Sequence, residues 1–295
     1  MYTFWTVMRL ELSLIWRNWF TWLISLAMLV IGALCAANNR HEPWSTWEQF
    51  LVIAIFLTVI LSFTTGNQIN RDRERRLDGI VFSTPVSTPV YVLGKYLAAL
   101  LNLLGLAGLS LLVALLMDHF YPWQIVNETW GGQSFLFFAP GIYPSLGPQP
   151  YLLGWFWCFL VSIFFGAAFV FACITLTRGK RVIAYIAVVL IWLLLPLFAH
   201  DYIPDLLDIT GNSFYFRYSA DAFPPAQQLL FPRNATSVTR FTPQLARRVV
   251  QLSLADIPPH SWPSSFFWNR LLFLGITLAL LGLTIYGVHH MRRHA

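Results

Sequence analysis

The chain has 295 residues, of which 57% are hydrophobic and 11% charged, and it carries a formal net charge of +6. Soluble domains hold about 25% charged residues, so this composition, with a mean hydropathy of +0.60, excludes an ordinary water-soluble globule. The basic residues lie beside apolar runs, which makes anionic lipid headgroups a simpler partner than nucleic acid, and no nucleic-acid partner is expected.

The chain opens with an amphipathic segment. Thr6, Arg9, Ser13 and Arg17 recur at helical spacing and form a polar stripe, while Phe4, Trp5, Met8, Leu12, Ile15 and Trp16 cover the apolar side. A helix of this kind lies in the headgroup plane. Glu11 falls on its apolar side and therefore needs a basic partner or a proton.

A helix rises about 1.5 Å per residue, so roughly 20 apolar residues cross a bilayer core. Six segments meet this test, at 20–37, 50–66, 93–117, 152–176, 182–199 and 271–288. Lipid leaves open backbone groups unsatisfied, so the expected fold is an all-α polytopic membrane protein with six transmembrane helices behind the interfacial one. With the N-terminus inside, Arg9, Arg17, Arg71, Arg73, Arg75, Arg76, Lys95, Arg178, Lys180, Arg181, Arg292 and Arg293 all fall on the inner side. Six of the other seven basic residues sit in or beside one long outer loop, where the positive-inside rule is weak. Both termini are expected in the cytoplasm, in a bacterial inner membrane.

The loops divide the chain into residues 1–199, with an inner loop at 67–92 and an outer loop at 118–150, then 200–269, then 270–295. The outer loop is rich in Pro, Gly and aromatics. Residues 200–269 are too long for a simple connection and are expected to form an external cap or re-entrant segment, with a short helix near 243–254. Pro196 is expected to bend the fifth span.

The inner loop carries the most information. Residues 71–78 are charged and helix-compatible, with Arg71/Arg75 repelling and Asp72/Arg76 attracting at i, i+4. Gly79 ends that run, Ile80, Val81 and Phe82 form an apolar knob, and Pro85 and Pro89 stop helix continuation. Lys95 stands where the next span begins, and is expected to snorkel to the inner headgroups. Such an element suits docking by a cytosolic protein.

Glu74, Asp78, Ser83, Pro85, Val86, Ser87, Gly94 and Lys95 in this loop, together with the block Trp268-Asn269-Arg270-Leu271 entering the last span, resemble the ABC-2-type family of transporter permeases. The resemblance implies a half-transporter that pairs with a second permease subunit, as a homo- or heterodimer, and docks separate ABC ATPase subunits. It implies that Arg71, Arg73, Glu74, Arg75, Asp78, Gly79, Ile80, Phe82 and Pro85 belong to an ATPase-coupling element, and that Arg9, Glu11 and Arg17 lie on the connecting interfacial helix. ATP and Mg would be held by the partner ATPase, and no cofactor is expected on this chain. Neither Gly94-Lys95 nor Gly179-Lys180 has the spacing or the hydroxyl of a phosphate-binding loop.

Other features weigh less. Cys35, Cys158 and Cys173 lie in or at the edge of apolar runs without metal or disulfide spacing. No histidine is mid-span, and no metal site is expected. Asn102 lies inside the third span near Gly105 and Gly108, where it suits helix packing or a transport path. No catalytic set of carboxylates or His/Ser/Cys is present in any span. The rival reading is a membrane anchor that docks an external enzyme or receptor on residues 200–268.

Overall fold

The computed structural model describes residues 2–38, 65, 66, 68, 71, 86–120, 123–130, 133–140, 152, 155–177, 180–191, 207–209 and 264–293. In chain order these form α1 (Tyr2–Trp16), α2 (Trp19–Asn38), α3 (Thr88–Phe120), the strands β1 (Trp123–Trp130) and β2 (Gln133–Pro140), a π-helical stretch (Trp155–Leu160), α4 (Val161–Leu176), α5 (Arg181–Val189) and α6 (Ser264–Arg293). The described chain is thus largely helical, as expected, with one antiparallel hairpin over residues 123–140, where Trp123 pairs with Pro140 and Trp130 with Gln133. Among the described residues two helices are long and apolar enough to cross a membrane, over Thr88–Leu116 and Ser265–Arg292; the α1–α2 pair passes the same test only when taken together across a 73° bend. These helices mark the chain as a membrane protein.

The α1–α2 bend is a built elbow. The last carbonyls of a helix lack intrahelical partners, and here the first turn of α2 supplies them. Thr21 Oγ1 donates to the Ile15 carbonyl at 2.7 Å and Trp22 Nε1 to the Trp16 carbonyl at 2.9 Å. Asn18 caps α2, its Oδ1 accepting the Phe20 N–H at 3.1 Å.

Several hydroxyls inside the apolar helices are satisfied within the same helix. Ser25, Thr277 and Thr284 each donate to the carbonyl four residues back, at 2.9, 2.7 and 2.8 Å. This removes a donor that hydrocarbon could not solvate.

The core joins α2, α3, α4 and α6 through Ile24, Met28, Leu100, Leu103, Phe165, Phe171, Phe273 and their neighbours. Between apolar helices in lipid, packing and hydrogen bonds replace the hydrophobic effect as the driving force. Tyr96 serves both, donating its hydroxyl to the Phe164 carbonyl at 3.0 Å and meeting the Phe171 ring edge-on at 5.9 Å. Phe165 and Phe273 meet edge to face at 5.1 Å between α4 and α6.

Two sets of contacts fix the helix directions. At one end Ser162 Oγ, near the start of α4, donates to the Ile209 carbonyl at 2.8 Å, and Arg270 Nη1, near the start of α6, donates to the same carbonyl at 3.0 Å. Asn269 Nδ2 adds a bond to the Asp208 carbonyl at 2.9 Å. At the other end a Cβ on Gly287 of α6 would lie 2.8 Å from Thr175 Cγ2 of α4. α4 and α6 therefore run parallel. Arg292 Nη1, at the end of α6, donates to the Val86 carbonyl just before α3 at 2.6 Å, so α3 runs opposite to both.

Several boundaries differ from the sequence reading. α3 starts at Thr88 rather than 93, and α6 at Ser264 rather than 271. Of the second expected span only Thr65 and Gly66 are described, and the fifth is described only to Ile191. Pro196 and the short helix near 243–254 lie outside the described residues.

Gly94 lets α1 lie directly on α3. A Cβ there would fall 2.9 Å from Val7 Cγ1 and 3.2 Å from Val7 Cβ, and a β-branched valine has little rotamer freedom to give way. Gly94→Leu is expected to lift α1 off the bundle and lower stability by about 1–3 kcal/mol, read as a drop in the melting temperature of the detergent-solubilised chain. An unchanged melting temperature would show that α1 does not rest there.

Candidate functional site

Three segments separated in sequence meet around one carboxylate. α1 turns Met8, Glu11 and Ile15 inward, where Met8 and Ile15 pack with Ala98 of α3. The same face carries Glu11 against α3. Its Oε1 accepts from Lys95 Nζ at 2.8 Å, and its Oε2 accepts from Arg71 Nη2 at 2.7 Å. Lys95 Nζ also donates to the Gln68 carbonyl at 2.9 Å and stands 5.1 Å from the centre of the Tyr91 ring. Glu11 is 3% exposed and Lys95 1%.

The chemistry of the cluster follows from these numbers. Each carboxylate oxygen takes one charged donor, which gives short, charge-assisted bonds. The ammonium reaches Glu11, a backbone carbonyl and an aromatic face. The triad holds two cations and one anion, so its formal sum is +1. Removing the carboxylate takes a charged acceptor from both Arg71 and the buried Lys95, which costs more than replacing a buried pair together. Mechanically, Glu11 ties α1 to α3 two turns past its start, and to Arg71.

The structure brings together Glu11 and Arg71 from the sequence-derived set. Arg9, on α1, and Arg17, in the turn that follows it, are exposed. Asn102 is buried on α3, 1% exposed, and neither its Nδ2 nor its Oδ1 has a hydrogen-bond partner. Arg73, Glu74, Arg75, Asp78, Gly79, Ile80, Phe82 and Pro85 lie outside the described residues.

Lys95 corrects the expectation of snorkelling. α3 begins earlier than hydropathy suggested, so Lys95 sits well inside the helix, on its buried face, and Glu11 meets it there. The signal for this was in the sequence: Lys95 is seven residues, two helical turns, from Asn102 and on the same side. The Ser162, Asn269 and Arg270 bonds to residues 208 and 209 had no such signal, because backbone carbonyls leave no trace in a residue pattern.

No protein-family model matches the chain, and no curated protein matches it.

Glu11→Gln is expected to destabilise the solubilised chain by about 3 kcal/mol, because it takes the charged acceptor from both Arg71 and the buried Lys95. The pair Glu11→Leu with Lys95→Met is expected to lose much less than the sum of its single changes. Thermal unfolding of the four proteins measures the coupling; additive losses would dissolve the triad as a unit.

Proposed function

We propose that this chain is the permease subunit of an ATP-driven exporter of the ABC-2 type. In this reading six helices span a bacterial inner membrane with both termini in the cytoplasm. Two such subunits, identical or paralogous, enclose a path for an amphiphilic cargo such as a lipid, drug or peptide. α1 is the interfacial connecting helix, and the loop that begins at Arg71 is the handle for a separate ATPase.

The observation that carries this reading is the Glu11 triad. A motor outside the membrane can move the spans only through a stiff link, and Glu11 bonds α1 and the loop entry at Arg71 to Lys95 of α3. The 73° bend between α1 and α2 supports a first helix lying along the membrane surface. Arg9, Arg17, Arg71, Lys95 and Arg292 gather at one end of the bundle, in keeping with the positive-inside rule. Asn102 continues the face of Lys95 further along α3, a position suited to the cargo path or to the contact between helices. Closing the ATPase pair would pull the loop, tilt α3 and its partners, and open the path outward by alternating access.

Two experiments test this. The tagged chain, extracted in mild detergent, should bring down an ATPase with a phosphate-binding loop; its absence from the native assembly would falsify the exporter. Replacing Glu74, or Ile80–Phe82 together, should abolish cargo-stimulated ATP hydrolysis and transport while leaving membrane insertion intact. Transport at the wild-type rate in these variants would remove the docking assignment.

A further inference from the structure

Glu11 is the one acid on α1, and it faces inward. The bundle leaves the opposite side of α1 uncovered. Trp5, Arg9, Leu10, Ser13, Trp16 and Arg17 are all exposed. At 3.6 residues per turn they fall in one continuous arc, with Trp5 and Trp16 at one edge, Arg9 and Ser13 in the middle, and Arg17 and Leu10 towards the other edge.

The aromatic edge continues around the elbow. Trp22 meets Trp16 edge to face at 5.4 Å and is fixed by its bond to the Trp16 carbonyl. Trp19 is 73% exposed and Trp22 58%. A wall of indoles therefore stands beside two exposed guanidinium groups. The described acid nearest to them, Glu11, is already held by two cations. Lys180, which follows α4, and Arg292 lie at the same end of the bundle.

We infer that this arc and elbow form a binding surface for the phosphate groups of anionic phospholipids. Indole rings settle at headgroup depth, with the ring in acyl carbon and the N–H near water. A guanidinium at that depth takes a phosphate oxygen pair in a forked geometry. The net positive potential of this end favours a lipid of net negative charge over a zwitterionic one. A soluble protein partner would have to desolvate both guanidinium groups with acids of its own and still cover four indoles. The inference rests on the interfacial reading of α1 and needs no ATPase, so its test uses no nucleotide.

The full-length chain would be placed in nanodiscs of equal phosphatidylglycerol and phosphatidylethanolamine, re-extracted in mild detergent, and its retained lipid quantified. Wild type should retain phosphatidylglycerol enriched on the order of five-fold over the bulk ratio. Arg9→Gln with Arg17→Gln should bring the ratio back towards one, and Arg9→Lys with Arg17→Lys should keep most of the enrichment. These side chains are exposed, so folding is preserved, and an unchanged melting temperature checks it. Wild-type retention at the bulk ratio would overturn the proposal and leave the arc to a protein partner. Full enrichment in the glutamine variant would also overturn it, by placing the lipid site elsewhere.

Discussion

A carboxylate cannot stay charged in an apolar setting without compensation, and Glu11 meets that condition with two donors drawn from distant parts of the chain. Much else follows from this. α1 cannot leave the bundle without exposing Lys95, and the segment around Gln68 and Arg71 cannot shift without loosening α1. Gly94 makes the arrangement possible by allowing the backbones to approach, and the Tyr91 ring stands beside the ammonium. A strong local bond set at one end of the bundle thus replaces the broad hydrophobic burial that a soluble protein would use.

The remaining contacts divide by depth. Within the apolar layer, α2, α3, α4 and α6 meet through rings and small residues, and the hydroxyls of Ser25, Thr277 and Thr284 fold back onto their own helices. Polar side chains reach between helices mainly towards the two ends, at Glu11 and Arg292 on one side and at Ser162, Asn269 and Arg270 on the other. Asn102 departs from this division. Its unbonded amide lies within the packed interior, as does the unbonded hydroxyl of Thr175, an arrangement that costs free energy.

Much of this was legible in the residues, and the failures have physical causes. The apolar runs at 20–37, 93–117 and 271–288 lie within α2, α3 and α6, because twenty apolar residues in lipid leave the backbone no other form. The amphipathic start was legible through its polar stripe, and the need of Glu11 for a base followed from its side of the helix. The partners were not legible. Hydropathy windows trim helix ends that carry Thr, Pro or Lys, so Lys95 was placed at a boundary that lies further upstream. The hairpin at 123–140 was hidden because its aromatic and glycine content fits loop and strand alike.

The grip on residues 208 and 209 has a separate consequence. Three side chains reach that segment, and each bonds a main-chain oxygen. Every amino acid offers the same oxygen, so these three bonds alone would accept any residue there. The side chains beside those oxygens are what restrict the choice: Ile209 packs into the core shared by the helices, and Asp208 is buried next to it. Ser162, Asn269 and Arg270 thus work as a clasp that sets where the segment meets the bundle, while the space around Asp208 and Ile209 sets which residues can stand in its grip.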